Sequence, residues 1–187
     1  MILCITGKSG SGKTETSKIL SKFGFEIIEM GSIIREEMKR QNIPPTPKQT
    51  KDFMLKLREL YGNDIVAKKI IEKIQNIKNQ NIAIIGIRSI AEQKYFESNL
   101  KSIYTIAIIA PLEERFRRLT FRGRSDDPKN IEEFLKYREE NQIKVGIEDA
   151  INNSEYKVEN TGSIEELEKN IFLLFKELNS IDKNLIK

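Results

Sequence analysis

Short apolar runs alternate along this chain with longer stretches in which apolar residues recur every three or four positions. The runs at residues 2–6, 26–30, 82–86, 103–110 and 156–159 are rich in β-branched residues and predict five strands, buried on both faces as in a parallel sheet. The stretches at 33–41, 47–61, 64–79, 112–121 and 164–178 have helical spacing and predict covering helices. Asn42-Ile43-Pro44-Pro45 and Gly62 interrupt the helical region between the second and third strands, and Thr46-Pro47 is a helix cap followed by proline at the first helical position. Ser89 with Glu92 and Ser163 with Glu166 form capping boxes that mark two further helix starts. Residues 122–128, Arg-Gly-Arg-Ser-Asp-Asp-Pro, break helical periodicity with a crowd of charge and predict a flap. The pattern is that of an α/β fold without internal repeats, ending in a polar tail after Leu178.

Between the first strand and the first helical pattern lies Gly7-Lys8-Ser9-Gly10-Ser11-Gly12-Lys13-Thr14, a P-loop in the context the motif requires. Its glycines let successive N–H groups and the following helix N-terminus cradle the α- and β-phosphates of ATP. Lys13 reaches toward the β- and γ-phosphates, and the Thr14 hydroxyl is placed for a magnesium ion (Mg2+). Lys8 has two readings: a solvated loop charge, or a lysine reaching across a dimer to the partner's nucleotide.

Composition narrows the chemistry. A length of 187 residues suits one domain, and a net charge of +4, from 32 basic and 28 acidic residues interleaved along the chain, is too even for a nucleic-acid surface or a membrane anchor. No aromatic stacking platform or basic stripe accompanies the pI near 9.0, so no nucleic-acid partner is expected. The single cysteine, Cys4, sits in the first apolar run, which excludes an internal disulfide and fits a cytoplasmic protein; neither a leader nor a membrane span is expected. With no histidine in the chain, histidine-based catalysis and histidine-ligated zinc are excluded.

Phosphoryl transfer needs positioned substrates and positive charge around the transferring group. Arg35, one turn into the helix after the second strand, and Arg88, just past the third strand, emerge at the carboxyl edge of a parallel sheet, on the rim of the P-loop. Both can hold an acceptor phosphate as a fork. Arg115, Arg118 and Arg122 share one helix face and Arg124 follows in the flap. Arg118, Arg122 and Arg124 are candidates to neutralise developing charge, whereas Arg115 reads equally as a solvated charge paired with Glu113 or Glu114. Asp126 and Asp127 can form a turn, pair with those arginines or orient magnesium. Asn160-Thr161-Gly162 follows the last strand at the same rim, as a turn approaching adenine or as an ordinary connection to the last helix.

Taken with Met30-Gly31-Ser32-Ile33-Ile34-Arg35 and Gly86-Ile87-Arg88-Ser89, these motifs resemble an archaeal family of adenylate-kinase-related P-loop proteins, itself similar to dephospho-CoA kinases and nucleoside monophosphate kinases. Segments such as Arg58-Glu59-Leu60-Tyr61-Gly62 and Val66-Ala67-Lys68 extend the likeness over nearly the whole chain. The resemblance implies a P-loop nucleotide-kinase-like three-layer fold with five parallel strands, a helical acceptor-binding insertion at about 32–79 and an arginine-bearing lid at about 115–128. It also implies an acceptor site at Ser32, Arg35 and Arg88, and an ATP site that includes Asn160 and Gly162. In such relatives an aspartate precedes the glycine matching Gly86 and another stands at Ser32; here the positions hold Ile85 and Ser32, which cannot supply a carboxylate. The leading expectation is transfer of the ATP γ-phosphoryl group to a nucleotide or other small-molecule phosphate acceptor of the AMP or dephospho-CoA type, by a monomer or homodimer. A nucleotide-binding switch with little transferase activity is the alternative, and a dimeric ATPase using Lys8 in trans is a third reading.

Overall fold

The computed structural model describes residues 1–123 and 127–185. Five parallel strands, β1 (Ile2–Thr6), β2 (Glu26–Glu29), β3 (Ile82–Ile87), β4 (Ile103–Ile109) and β5 (Tyr156–Glu159), form one sheet in the order β2-β3-β1-β4-β5. The order places β1 at the centre, so the loop leaving it opens between neighbours on both sides. Strand alternation divides the core. Cys4, Ile28, Ile84 and Ile87 face helices α2 (Met30–Arg40), α3 (Pro47–Tyr61), α4 (Ile65–Ile74) and α5 (Ile90–Asn99). Leu3, Ile5, Ile85 and Ile106 face α1 (Lys13–Lys22) and α10 (Ile164–Leu185). This is the three-layer α/β arrangement expected from the alternating pattern.

The strands match the apolar runs to within a residue or two. Met30 opens α2 instead of closing β2, and β3 runs on through Ile87. That extension passes through a bulge: Ile85 lies opposite Ile5 and Ile87 opposite Thr6, with Gly86 skipped at φ 97. The Thr6 hydroxyl donates to the Ile87 carbonyl at 2.8 Å and pins the bulge at the sheet's carboxyl edge.

The helices depart further from the sequence pattern. α4 stops at Ile74 and α10 continues past residue 178 to Leu185. Between α6 (Leu112–Arg122) and β5 lies a helical segment that the periodicity does not reveal: α7 (Ile131–Glu133), a π-helical stretch over Phe134–Glu139, α8 (Glu140–Lys144) and α9 (Ile147–Asn152). Among the described residues no helix is long and apolar enough to cross a membrane.

Candidate functional site

The P-loop leaves the end of β1 and enters α1 at Gly12, whose φ of 108 belongs to glycine and whose added Cβ would lie 2.1 Å from Asn160 Nδ2. No side chain caps α1, so its first N–H groups remain free to meet an anion. Lys13 Nζ folds over the loop and donates to the carbonyls of Gly7 at 2.6 Å and Lys8 at 2.9 Å. Burial, and then the charges of Arg88, Arg115 and Arg122, push its ammonium down to about 7. The ammonium thus stands at an uncapped helix start under the charges of three arginines, and the Ser11 hydroxyl in the same loop is buried without a hydrogen-bond partner. Such a cradle fits a polyphosphate. Thr14 is exposed on the first turn of α1, where it would hold a magnesium ion together with phosphate oxygens and water.

The outer rim of the loop is braced by residues that sequence patterns do not single out. Lys8, 20% exposed, pairs within its own chain: its ammonium lies 2.7 Å from Glu148 Oε1 and 3.3 Å from Glu139 Oε2. Ser9 N–H donates to Gln142 Oε1 at 2.7 Å. Glu139 also takes Arg115 as a fork, at 2.5 Å and 3.1 Å, and Arg115 donates from Nε to the Ala110 carbonyl at 3.1 Å. The Phe134 ring lies 5.5 Å from the same guanidinium, so both ends of the π-helical stretch grip it. Burial alone would raise the Glu139 carboxyl, but the hydrogen bonds and charge of Arg115, aided by Lys8, hold it below the usual carboxylate range. Arg115 is therefore a buried structural pivot, not a surface charge paired with Glu113 or Glu114.

Arg118 Nη2 donates to the Asn160 carbonyl at 2.9 Å, and Asn160 Nδ2 donates to the Ser11 carbonyl at 2.8 Å. The residue expected to flank adenine through its backbone thus uses its side chain to hold the P-loop. Gly162 lies exposed in the turn before α10. Arg122 pairs with Asp127 through both nitrogens facing it, one contact being Nε to Oδ2 at 2.9 Å, which realises the arginine-pairing reading of that aspartate. Arg124 and Asp126 lie outside the described residues.

Across the rim, Ser32 Oγ donates to the Glu29 carbonyl at 2.8 Å, and Arg35 Nη2 lies 3.3 Å from Glu29 Oε2. Arg88 is exposed at the end of β3, with its backbone N–H donating to Glu92 Oε2 at 2.8 Å. Glu92 keeps the capping contact expected of it, through its own N–H to Ser89 Oγ at 3.3 Å, but its carboxylate reaches Arg58 Nη2 at 3.2 Å. Ile85 is buried, paired across the sheet with Ile5 and Glu29. The structure therefore folds the P-loop around Lys13, with the charges of Arg88 and Arg122 acting on its ammonium, and leaves Ser32 and Arg35 tied to the end of β2.

Comparison with known proteins agrees with this architecture. An AAA domain matches residues 6–135. A UPF0200 protein of Pyrococcus abyssi is 36% identical over 182 residues, covering 95% of this chain and 97% of the relative. Another, from Pyrococcus horikoshii, is 38% identical over 175 residues, covering 91% and 94%. Among solved structures, shikimate kinase from Aquifex aeolicus superposes with a TM-score of 0.54 at 18% identity, over 97% of this chain and 99% of its own. The chain belongs to the UPF0200 family, with an AAA-type P-loop domain and a kinase-like fold.

Proposed function

We propose that this protein is an ATP-dependent phosphotransferase acting on a small phosphate-bearing acceptor, of the AMP or dephospho-CoA type, in the cytoplasm. The observation that carries the reading is the uncapped start of α1, with Lys13 Nζ folded over the loop onto the Gly7 and Lys8 carbonyls and the Ser11 hydroxyl buried without a partner in the same loop. An ammonium folded over an uncapped helix start, with its N–H groups unclaimed by any side chain, is a favourable setting for a triphosphate. In the proposed reaction an acceptor oxygen, already ionised on an AMP phosphate or losing its proton to water on a hydroxyl acceptor, attacks the γ-phosphorus; the bond from that phosphorus to the β–γ bridging oxygen breaks, and ADP leaves with the electron pair. Gly7 to Thr14 and Lys13 hold the phosphates, and Asn160 and Gly162 border the nucleoside. Arg118, Arg122 and Arg124 act from the lid of residues 115–128, while Ser32, Arg35 and Arg88 align the acceptor in line from the helical region at 32–79. Magnesium bound at Thr14 would neutralise charge on the β- and γ-oxygens.

The test is turnover with ATP and magnesium against AMP, CMP, UMP, GMP and dephospho-CoA, with Lys13→Ala as control. Product with one acceptor, lost by on the order of 100-fold or more in Lys13→Ala, is the expected result. Tight ATP binding with no product across the panel would favour the second reading, a nucleotide-binding switch. Ile85 supports that reading, since it is a buried hydrocarbon packed in the core at the position where the resembled kinases carry an aspartate.

A further inference from the structure

The carboxylate of Glu92 joins two regions that the sequence does not connect. It is 2% exposed, on the first turn of α5; Oε1 accepts from Arg58 of α3, and Oε2 accepts from the backbone N–H of Arg88. The Arg58 side chain is 11% exposed, against 55% for Arg35. A buried ion pair is weak evidence for stability, because desolvation of both charges opposes their attraction. This one is also incomplete. A guanidinium offers Nε–H and Nη2–H as parallel donors on one edge, matched to two oxygens. Glu92 occupies only Nη2, its second oxygen being committed to Arg88, and Arg58 Nε is buried with no hydrogen-bond partner. Half of a bidentate edge is thus left without a partner beside the Arg88 turn, closed off from solvent.

We infer that Arg58 is an acceptor-binding residue whose Nε–H donates to an anionic oxygen of the acceptor, and that Glu92 is a positioning residue holding Arg58 and the Arg88 turn in one frame. The inference rests on the phosphotransferase reading and adds a specificity determinant to it. Arg58→Lys tests it: lysine keeps the charge and can still pair with Glu92, but lacks the planar fork. In steady-state assays over the same five acceptors, the acceptor KM is expected to rise about tenfold or more, with the KM for ATP within about twofold and Tm close to wild type. Glu92→Gln, which retains an acceptor for one partner only, should raise the acceptor KM by a smaller factor and serves if the lysine variant folds poorly. An unchanged acceptor KM, or equal rises for acceptor and ATP, would overturn the role of Arg58. Wild-type protein that transfers to none of the five acceptors would overturn the phosphotransferase reading and this inference with it, a result distinct from transfer that is indifferent to Arg58.

Discussion

The two rims of the site are built differently. On the P-loop side, Lys8, Ser9 and Ser11 are each held by a side chain distant in sequence, and the Arg115–Glu139 pair beneath them is buried. On the proposed acceptor side, outside the buried Arg58–Glu92 pair, Arg35 and Glu29 pair across 3.3 Å at 55% and 49% exposure, within reach of water and salt. The contrast teaches where the fold fixes geometry in advance and where it leaves geometry to a ligand. A loop that must present several N–H groups to one anion loses affinity if it is ordered only on binding, so buried polar braces around it are productive. An exposed guanidinium keeps its freedom and its hydration until an acceptor arrives.

The largest effect expected from this contrast is on stability. Glu139→Ala removes the carboxylate that neutralises buried Arg115, while Lys8 retains Glu148. Breaking such a pair costs about 3–5 kcal/mol, and urea unfolding should show it as a lowered midpoint at unchanged slope. The folded-state carboxyl of Glu139 is lowered, so its contribution is present above the ordinary glutamate range and is lost as pH falls through the lowered value. A midpoint within error of wild type would mean that the brace is dispensable and that the two rims do not differ.

Legibility in the sequence divides along the same line. The strands could be read because short apolar runs, most of them rich in isoleucine, end abruptly at glycine, proline, asparagine or charge, and the P-loop because four positions fix it. Glu139 and Gln142 could not be read. They lie in a stretch where charged residues dominate, and the π-helical turn brings Phe134 and Glu139, five residues apart, onto the same guanidinium, a spacing that matches no amphipathic helix. Asn160 follows the last strand and reaches the P-loop through the Ser11 carbonyl, but a sequence cannot say whether such a residue meets a ligand or braces the loop that does. The Ser89–Glu92 capping box was legible as a helix start, whereas the reach of Glu92 to Arg58 depends on how α3 packs on α5. Glu26 to Glu29 shows the same limit in reverse: β2 is a sheet edge, so its polar ends are tolerated and its exact close is set by Met30 turning into the core.

A smaller effect sharpens the comparison on the P-loop side. Because burial and neighbouring arginines hold the Lys13 ammonium at about 7, it is largely neutral at higher pH before nucleotide binds, and a bound polyphosphate raises it again. Binding of magnesium–ATP therefore takes up a proton above about pH 7, and affinity falls up to about tenfold per pH unit until the pKa of the complex is reached; below about pH 7 this contribution is constant. Calorimetry at about pH 8.5 in two buffers of different ionisation heat should report uptake approaching one proton. Lys13→Arg, charged throughout, should report little. Equal uptake in both proteins would assign the proton to another group and remove Lys13 as the origin of the pH dependence.

The smallest effect belongs to the exposed rim. Arg35→Ala deletes a pair whose partners are both about half in water, where attraction is screened and ordering two long side chains opposes it. The expected loss is within about 0.5 kcal/mol, with Tm nearly unchanged, against several kcal/mol for Glu139→Ala. The apolar residues flanking Arg35 on α2, Ile33, Ile34 and Met38, are buried and untouched by the change, so the helix itself keeps its packing. If Arg35→Ala instead unfolded the protein as readily as the buried variant, the exposed pair would be part of the scaffold, and the acceptor rim would be as fixed as the P-loop. A silent substitution in the unfolding assay, combined with a weaker acceptor KM, is the outcome in which the rim is held open for its ligand.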